Sequence, residues 1–411
     1  PFPEATATTQ VLVSGEKGGN QAKPLIYAGL IGGLYDFIVS TFGWWSETVS
    51  TRIVGVGEML AEKAKVVFKV NTGAAVLGLG YIIGLKYSAI ICAGSFLVWL
   101  VIIPLMSAFF GAEVLTFGND AITATVGSMS AEQIFTTYAR HIGIGGIATA
   151  GVIGIINSWG IIKGAVGLAA KELKGKTGAV QTEELRTQKD LSMKVIAIGI
   201  FVALIATYLF FHFGVLDNWY YALIGLLIVG IIAFLFTTVA ANAIAIVGTN
   251  PVSGMTLMTL ILSSIILVAV GLKGTAGMVS ALIIGGVVCT ALSMAGGFIT
   301  DLKIGYWLGS TPAKQESWKF LGTLVSAATV GGVILVLNQS YGFTSGQLAA
   351  PQANAMAAVI EPLMSGSGAP WLLYAIGAVL AIILNICKIP ALAFSLGMII
   401  QLELNTPLLI G

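Results

Sequence analysis

A short polar segment, Gly248-Thr-Asn-Pro-Val-Ser-Gly-Met-Thr256, lies between two long apolar runs and carries side chains that can bind a solute. Proline lacks an amide donor and glycine adopts unusual dihedral angles, so a helix should unwind here. In a bilayer such a break is tolerated only where protein or a watery cavity satisfies the backbone, and transporters place substrate sites at such breaks. We predict substrate contacts from Asn250, Ser253, Met255 and Thr256. The alternatives are a structural turn whose side chains cap helix ends and a methionine that only packs.

Ionisable residues inside or beside apolar runs are candidates for proton coupling or gating. Asp36 lies mid-span, where desolvation favours the protonated carboxyl; alternatively it forms a local hydrogen bond. Lys86 and Glu403 each follow a short glycine-bearing apolar piece and either pair or reach the interface separately. Asp301 and Lys303 follow a Gly-Gly pair. They form either a cytosolic gate or an anchor at the end of a helix.

Two further groups have an ordinary membrane explanation beside the functional one. Tyr81 either stacks on a ligand or belongs to the interfacial aromatic belt. Arg140 and His141 either respond to pH near neutrality or lie among lipid headgroups near the end of a span.

The composition indicates a polytopic membrane protein. Hydrophobic residues make up 57% and charged residues 9%, with a mean hydropathy of +0.95, whereas soluble domains carry roughly 25% charged residues. The net charge of +2 gives no reason to expect a nucleic-acid partner. The three cysteines lie in apolar segments without metal-ligand spacing, so neither a disulfide framework nor a metal site is expected. No catalytic motif or phosphate-binding loop is present, so we expect neither an enzyme nor a cofactor.

Apolar runs of about 20 residues predict membrane helices, and the intervening segments predict connectors. Ser46–Lys69 is amphipathic and predicts an interfacial helix or cytosolic connector, whereas Thr72–Leu85 is short and glycine-rich and predicts a re-entrant segment. Asp301–Lys319 predicts a charged loop. The predicted spans are Leu25–Trp45, Ser88–Phe109, Ile134–Ile162, Val195–Val215, Tyr221–Val247, Leu257–Leu272, Ala276–Gly297, Phe320–Leu337, Trp371–Cys387 and Pro390–Gly411.

Self-comparison indicates two repeats, because three segments recur in the same order. Pro3-Glu-Ala-Thr-Ala resembles Pro351-Gln-Ala-Asn-Ala, and Leu25-Ile-Tyr-Ala resembles Leu372-Leu-Tyr-Ala. The third pair, shifted by 317 residues, is Leu79-Gly-Tyr-Ile-Ile-Gly-Leu-Lys and Leu396-Gly-Met-Ile-Ile-Gln-Leu-Glu.

The fold class expected from these segments is an all-α polytopic membrane protein with two sequence-related repeats and broken or re-entrant helices. Residues 1–170 form the back of repeat one, 171–194 a charged cytoplasmic linker, and 195–411 the front of repeat two. We therefore expect the intact protein to be longer at both ends.

Several of these segments resemble prokaryotic members of the oligopeptide transporter (OPT) family. They are 248–256, Ala295-Gly-Gly-Phe-Ile-Thr-Asp-Leu-Lys-Ile-Gly-Tyr-Trp-Leu-Gly-Ser-Thr-Pro312, Gly15-Glu-Lys-Gly-Gly19, the Pro-Glu-Ala-Thr-Ala opening and Leu402-Glu-Leu-Asn-Thr-Pro407. The resemblance implies import of small peptides or metal–chelate complexes with the proton gradient as energy source. With it, Glu16 and Lys17 become candidates for an entrance that receives a zwitterionic substrate; otherwise they form a solvated turn.

These features favour alternating access between the two repeats as the mechanism. The expected location is a bacterial or archaeal inner membrane, and a homo-oligomer is possible. An ion or solute channel and a non-transporting membrane scaffold are the alternatives. A channel needs a continuous polar pore or selectivity rings, whereas this sequence shows isolated polar breaks. A scaffold needs neither a broken helix nor the carboxyl of Asp36.

Overall fold

The computed structural model describes residues 2–117, 122–173, 185–216, 218–247, 252–343, 351–365 and 370–411. In chain order the helices and strands are α1 (Pro3–Lys17), α2 (Gly19–Phe42), β1 (Thr48–Ser50), α3 (Gly55–Lys63), β2 (Lys69–Asn71), α4 (Ala74–Ile83), α5 (Leu85–Phe96), α6 (Ile103–Phe110), α7 (Ala131–Ile134), α8 (Arg140–Leu173), α9 (Met193–Gly214), α10 (Trp219–Val247), α11 (Val252–Ala269), α12 (Gly274–Leu308), α13 (Pro312–Ser340), α14 (Pro351–Ser365), α15 (Trp371–Ile386), α16 (Ala391–Ile399) and α17 (Leu402–Ile410). The predicted all-α class is confirmed.

Helices long and apolar enough to cross a bilayer occupy much of the described chain. Seven meet that description among the described residues: Ala22–Phe42, Leu85–Phe110, Ala131–Asn157, Arg186–Gly214, Trp219–Ala245, Gly274–Leu308 and Pro312–Ser340. Three shorter apolar helices are Ala74–Ile83, Met255–Ala269 and Trp371–Ile386. This is the pattern of a polytopic membrane protein.

Two π-helical turns interrupt these helices. The first, Leu97–Ile102, joins α5 to α6, and the second, Phe135–Ala139, joins α7 to α8. They lie against each other, with the rings of Trp99 and Phe135 stacked at 4.9 Å. Such turns add a residue to the helical repeat and often occur at functional sites.

Helix α8 is the central packing element of the described chain. It packs against α10, α11, α15 and α16, and the main core cluster combines buried residues of these helices with others from α12 and α14. Helix α13, by contrast, buries none of its side chains within the chain, so its apolar surface is available to lipid or to other protein.

The interfacial helix predicted for Ser46–Lys69 covers only part of that segment, because the helical residues there are a 3-10 turn at Thr51–Ile53 and α3. The flanking residues form an antiparallel β-pair in which Val49 lies opposite Val70. β-Branched residues at both ends favour the extended chain, and the amphipathic pattern predicts only the middle of the segment correctly.

The predicted charged loop Asp301–Lys319 was also wrong. Helix α12 continues to Leu308, and α13 begins at Pro312, so only three residues connect them. Gly309 ends α12 in the left-handed conformation with φ 72°, and Pro312 suits the first helical position. The charged side chains find partners beside the helices, as described below.

The closing run Pro390–Gly411 is not one span but two short helices, α16 and α17, separated at Ile400 and Gln401. Elsewhere the apolar run beginning at Ile134 continues as helix to Leu173, beyond the predicted end at Ile162.

Candidate functional site

The polar segment at 248–256 lies between two helices that converge on it. Helix α10 is described to Val247 and α11 from Val252; Asn250 lies outside the described residues, and Ser253 falls in the first turn of α11. Met255 is 1% exposed and packs in the main core cluster. Thr256 is buried as well, so the two described side chains face the protein interior rather than lipid.

Two broken helices cross elsewhere in the described chain. The first is α4–α5, broken at Gly84, whose φ of 83° needs a residue without Cβ. The second is α16–α17, broken at Ile400 and Gln401. Adding 317 to Gly84 gives Gln401, so the breaks occur at matching positions of the third sequence pair.

The contacts at this crossing are reciprocal. Gly80 lies against the carbonyl of Leu408, and Gly397 lies against the carbonyl of Ile91. Adding 317 to Gly80 gives Gly397, and adding 317 to Ile91 gives Leu408.

A second pair of contacts obeys the same rule. Gly94 lies against the carbonyl of Phe394, and Gly411 lies against the carbonyl of Leu77. In each of the four contacts a methyl group on the glycine would overlap with backbone, so only glycine permits the approach. The pairings run α4 antiparallel to α17 and α5 antiparallel to α16.

A buried hydrogen-bond cluster holds the crossing together. The hydroxyl of Ser95 donates to the carbonyl oxygen of Gly397 at 2.6 Å, and the amide of Asn405 donates to the Ser95 hydroxyl and to the same carbonyl. Ser95 and Asn405 are 0% and 3% exposed. The cluster links α5, α16 and α17 in a place where unpaired polar groups would be costly.

The predicted gating residues beside the crossing have different partners from each other. Glu403 lies 3.7 Å from the Lys69 ammonium, which also contacts Glu132 at 2.9 Å. Lys86 is exposed, and its ammonium lies 5.8 Å from the ring centre of Tyr87. The structure therefore brings Glu403 to β2 and not to Lys86, although both residues occupy matching positions after a break. Tyr81, near the first break, is 82% exposed.

Asp36 of α2 caps the N-terminus of a different helix, α4. Its Oδ1 accepts a hydrogen bond of 3.1 Å from the amide of Ala74, the first residue of α4. A carboxylate at a helix N-terminus satisfies a free amide and complements the helix dipole. Asp36 therefore forms a hydrogen bond, but with a residue 38 positions away rather than with a local partner, and this bond ties α2 to the first broken helix.

Asp301 and Lys303 both lie on α12 and face different partners. Asp301 pairs with Lys319 of α13 at 2.6 Å. The Lys303 ammonium lies 4.6 Å from the ring centre of Tyr306 and 5.4 Å from that of Phe2. These two contacts fix α13 and the start of α1 against the end of α12.

Glu16 and Lys17 form the last turn of α1 rather than a loop, and both are exposed. Gly18, with φ 61°, then turns the chain into α2. No ion pair joins either residue to another described side chain.

Comparison with known proteins identifies the family of this chain. A family model described as OPT oligopeptide transporter protein matches residues 1–411. The chain belongs to the OPT family. It is also 25% identical over 457 residues to a protein of Haemophilus influenzae (strain ATCC 51907 / DSM 11121 / KW20 / Rd) named "Putative oligopeptide transporter", and the match covers 100% of this chain and 69% of that protein.

Family membership confirms the resemblance found in the sequence motifs and assigns the chain to transporters of oligopeptides. The apolar helices confirm an integral membrane protein. Across the described ranges no cluster of three or more His, Cys, Asp or Glu side chains is arranged to hold a metal ion.

Sequence reasoning considered Arg140 and His141 as a pH-responsive or headgroup pair and not as substrate contacts; the structure buries His141 and leaves Arg140 partly exposed. His141 is 8% exposed and its ring lies 5.6 Å from that of Tyr374 on α15. The Nε of Arg140 is buried without a hydrogen-bond partner. Their position near the end of an apolar run suggested headgroups, whereas the packing of α8 on α15 buries His141 inside the protein. The only available signal was that Arg140 is the sole arginine within a predicted span.

Proposed function

We propose that this protein is a secondary active transporter that imports small peptides or metal–chelate complexes by alternating access. The observation that supports the proposal is the set of reciprocal glycine contacts between α4–α5 and α16–α17. Adding 317 to one residue number of each contact gives a residue of the partner contact, so the two contacts of each pair exchange. Two structural elements related by a two-fold axis make contacts of this kind. We propose that this axis lies perpendicular to the helices, which holds when each broken helix continues in one general direction through its break, because equivalent helices are then antiparallel.

Such an axis has a direct consequence for transport. If α5 crosses the bilayer, as its apolar length with α6 allows, the axis lies in the membrane plane and the two units have inverted topology. Inverted repeats supply two equivalent packings of one scaffold, and rocking between them alternately exposes a site at the broken helices. We propose 1–170 and 195–411 as the two units and 171–194 as their cytoplasmic linker, with Tyr81, Asn250, Ser253 and Thr256 at the substrate.

Proton coupling through Asp36 is part of the proposal. Its carboxylate joins α2 to the start of α4, so protonation would weaken that joint and change the position of a broken helix. Lys86, Glu403, Asp301 and Lys303 are proposed as gating residues and Glu16 and Lys17 as an entrance. We further propose a bacterial inner-membrane location and a homo-oligomer.

Uptake in proteoliposomes tests the function. We expect saturable accumulation of short peptides or metal chelates that increases with an imposed inward proton gradient. A current without saturation would indicate a channel, and neither uptake nor current would indicate a scaffold; either result contradicts the proposal.

Asp36→Asn tests the coupling separately, because asparagine keeps an oxygen acceptor for the Ala74 amide but cannot exchange a proton. We expect uptake to lose its dependence on the pH gradient while the protein stays folded. An unchanged pH dependence would remove Asp36 from the coupling role.

A further inference from the structure

Arg140 differs from the other two arginines in forming no ion pair or side-chain hydrogen bond within the described part of the chain. Of the three arginines in the sequence, Arg52 pairs with Glu132 at 2.9 Å and Arg186 donates to the carbonyl of Gly309 at 2.8 Å. Arg140 lies within the span Ala131–Asn157, its Nε is buried, and it forms no ion pair with any described residue.

Two more polar groups without hydrogen-bond partners meet at the next residue of α8, where the rings of His141 and Tyr374 lie 5.6 Å apart. The Nδ1 of His141 and the hydroxyl of Tyr374 are both buried and form no hydrogen bond, and both residues are 8% exposed. Close packing of α8 on α15 fixes their relative position, since Gly145 lies directly against the backbone of Tyr374.

The backbone at this place is also unusual. The π-helical turn Phe135–Ala139 ends immediately before Arg140 and shifts the direction in which the following side chains project. It contacts the other π-helical turn through Phe135 and Trp99, and the indole N–H of Trp99 is buried without a partner too.

The unpaired groups have a common chemistry. The guanidinium and the indole are donors only, and the phenol hydroxyl can donate. Neither α15 nor α16, which pack against α8, contains an acidic residue. A buried guanidinium N–H without an acceptor is costly, and the group that satisfies both this donor and its positive charge is an anion. A carboxylate matches the planar guanidinium, because its two oxygens accept two parallel N–H bonds.

We propose that Arg140, His141 and Tyr374 form a subsite for a carboxylate group of the transported molecule. The inference rests on the proposed transport function, and it concerns a group that small peptides and carboxylate-bearing chelates share. The same donors would also suit a lipid phosphate, and the experiment separates these sources.

The test measures protection of Arg140 from phenylglyoxal, an arginine-selective reagent, in the purified chain, with modification of each arginine quantified by mass spectrometry. Acetate and acetamide form a matched pair of probes that differ in charge. We expect acetate to slow modification of Arg140 and acetamide to do so only at concentrations at least about tenfold higher. Arg52 and Arg186 serve as internal references and should react equally with either probe present.

Trialanine and trialanine amide then relate the subsite to substrate. We expect protection by trialanine and not by its amide. Protection by acetate without protection by either peptide would retain the subsite and contradict peptide as the substrate. Equal protection by acid and amide, no protection by acetate, or no reaction of Arg140 under any native condition would overturn the subsite.

Lipid and side-chain controls complete the experiment. If nanodiscs of phosphatidylglycerol protect Arg140 and those of phosphatidylcholine do not, and acetate adds nothing, the site binds lipid headgroups and the proposal is overturned. Tyr374→Phe removes only a hydroxyl and should weaken acetate protection severalfold, whereas Tyr306→Phe, on exposed Tyr306, should not. Equal protection in Tyr374→Phe and wild type would remove Tyr374 from the subsite.

Discussion

The two broken helices have the same plan but are completed by different side chains. After the first break stand Lys86 and Ser88, and after the second, at matching positions, stand Glu403 and Asn405. Glu403 and Asn405 are tied into the protein by Lys69 and by Ser95 with Gly397. Lys86 contacts only its neighbouring ring, and the Ser88 hydroxyl has no partner in the described chain.

The two broken helices therefore share some contacts and differ in others. The glycine contacts are shared, so they define the geometry of the crossing. The hydrogen bonds and ion pairs are not shared, so they make the second broken helix the more firmly held of the two. We infer that the first broken helix is the one freer to move.

The largest expected effect tests the shared part. Gly80→Ala and Gly397→Ala each place a methyl group against a backbone carbonyl that cannot move aside. We expect each to lower the free energy of unfolding in detergent micelles by about 3 kcal/mol, despite the better helix propensity of alanine. Gly78→Ala in the same helix meets no neighbouring atom and should be neutral or slightly stabilising. A large loss of stability at only one of Gly80 and Gly397 would show that the two contacts are not equivalent.

The buried hydrogen bonds should give the next largest difference. Asn405→Ala removes two donated bonds inside the crossing, and we expect a loss of about 1–2 kcal/mol in the free energy of unfolding. Ser88→Ala removes a hydroxyl that is buried without a partner, so it should be neutral or stabilising. Equal losses in a denaturant titration would show that the two positions are held alike.

A third prediction concerns the helix starts. Asp36 caps α4, whereas α16 begins after Pro390 without a side-chain cap. We expect Asp36→Ala to lower the free energy of unfolding by about 1 kcal/mol and to increase hydrogen exchange of the first amides of α4. Asp36→Asn should retain most of the cap, and exchange equal in the two variants would argue against a capping role.

The smallest effect is expected at the charged pair. Glu403→Gln loses an ion pair at 3.7 Å that is partly exposed, which should cost less than about 1 kcal/mol and become smaller at high salt. Lys86→Gln should leave stability unchanged. A salt-independent loss in Glu403→Gln would show that the side chain is held by something other than the charge of Lys69.

The sequence alone determined the membrane class, most of the spans and the short helix before Gly84, but not the break at Ile400 and Gln401. Hydropathy is a local quantity summed along a helix, so α9, α10 and α15 follow from it within a few residues. Glycine and proline act on their own dihedral angles, so local composition predicted the short helix before Gly84. The family resemblance depended on the same local motifs.

Tertiary structure alone decided which side chains meet. The amide capped by Asp36 is 38 residues away, and the hydroxyl that Asn405 binds is 310 residues away; no periodicity in the sequence encodes such distances. Arg140 shows the same limit, because its place in an apolar run fixed its depth but not the side it faces. Only the folded chain showed that its Nε is buried, with no hydrogen-bond partner among the described residues.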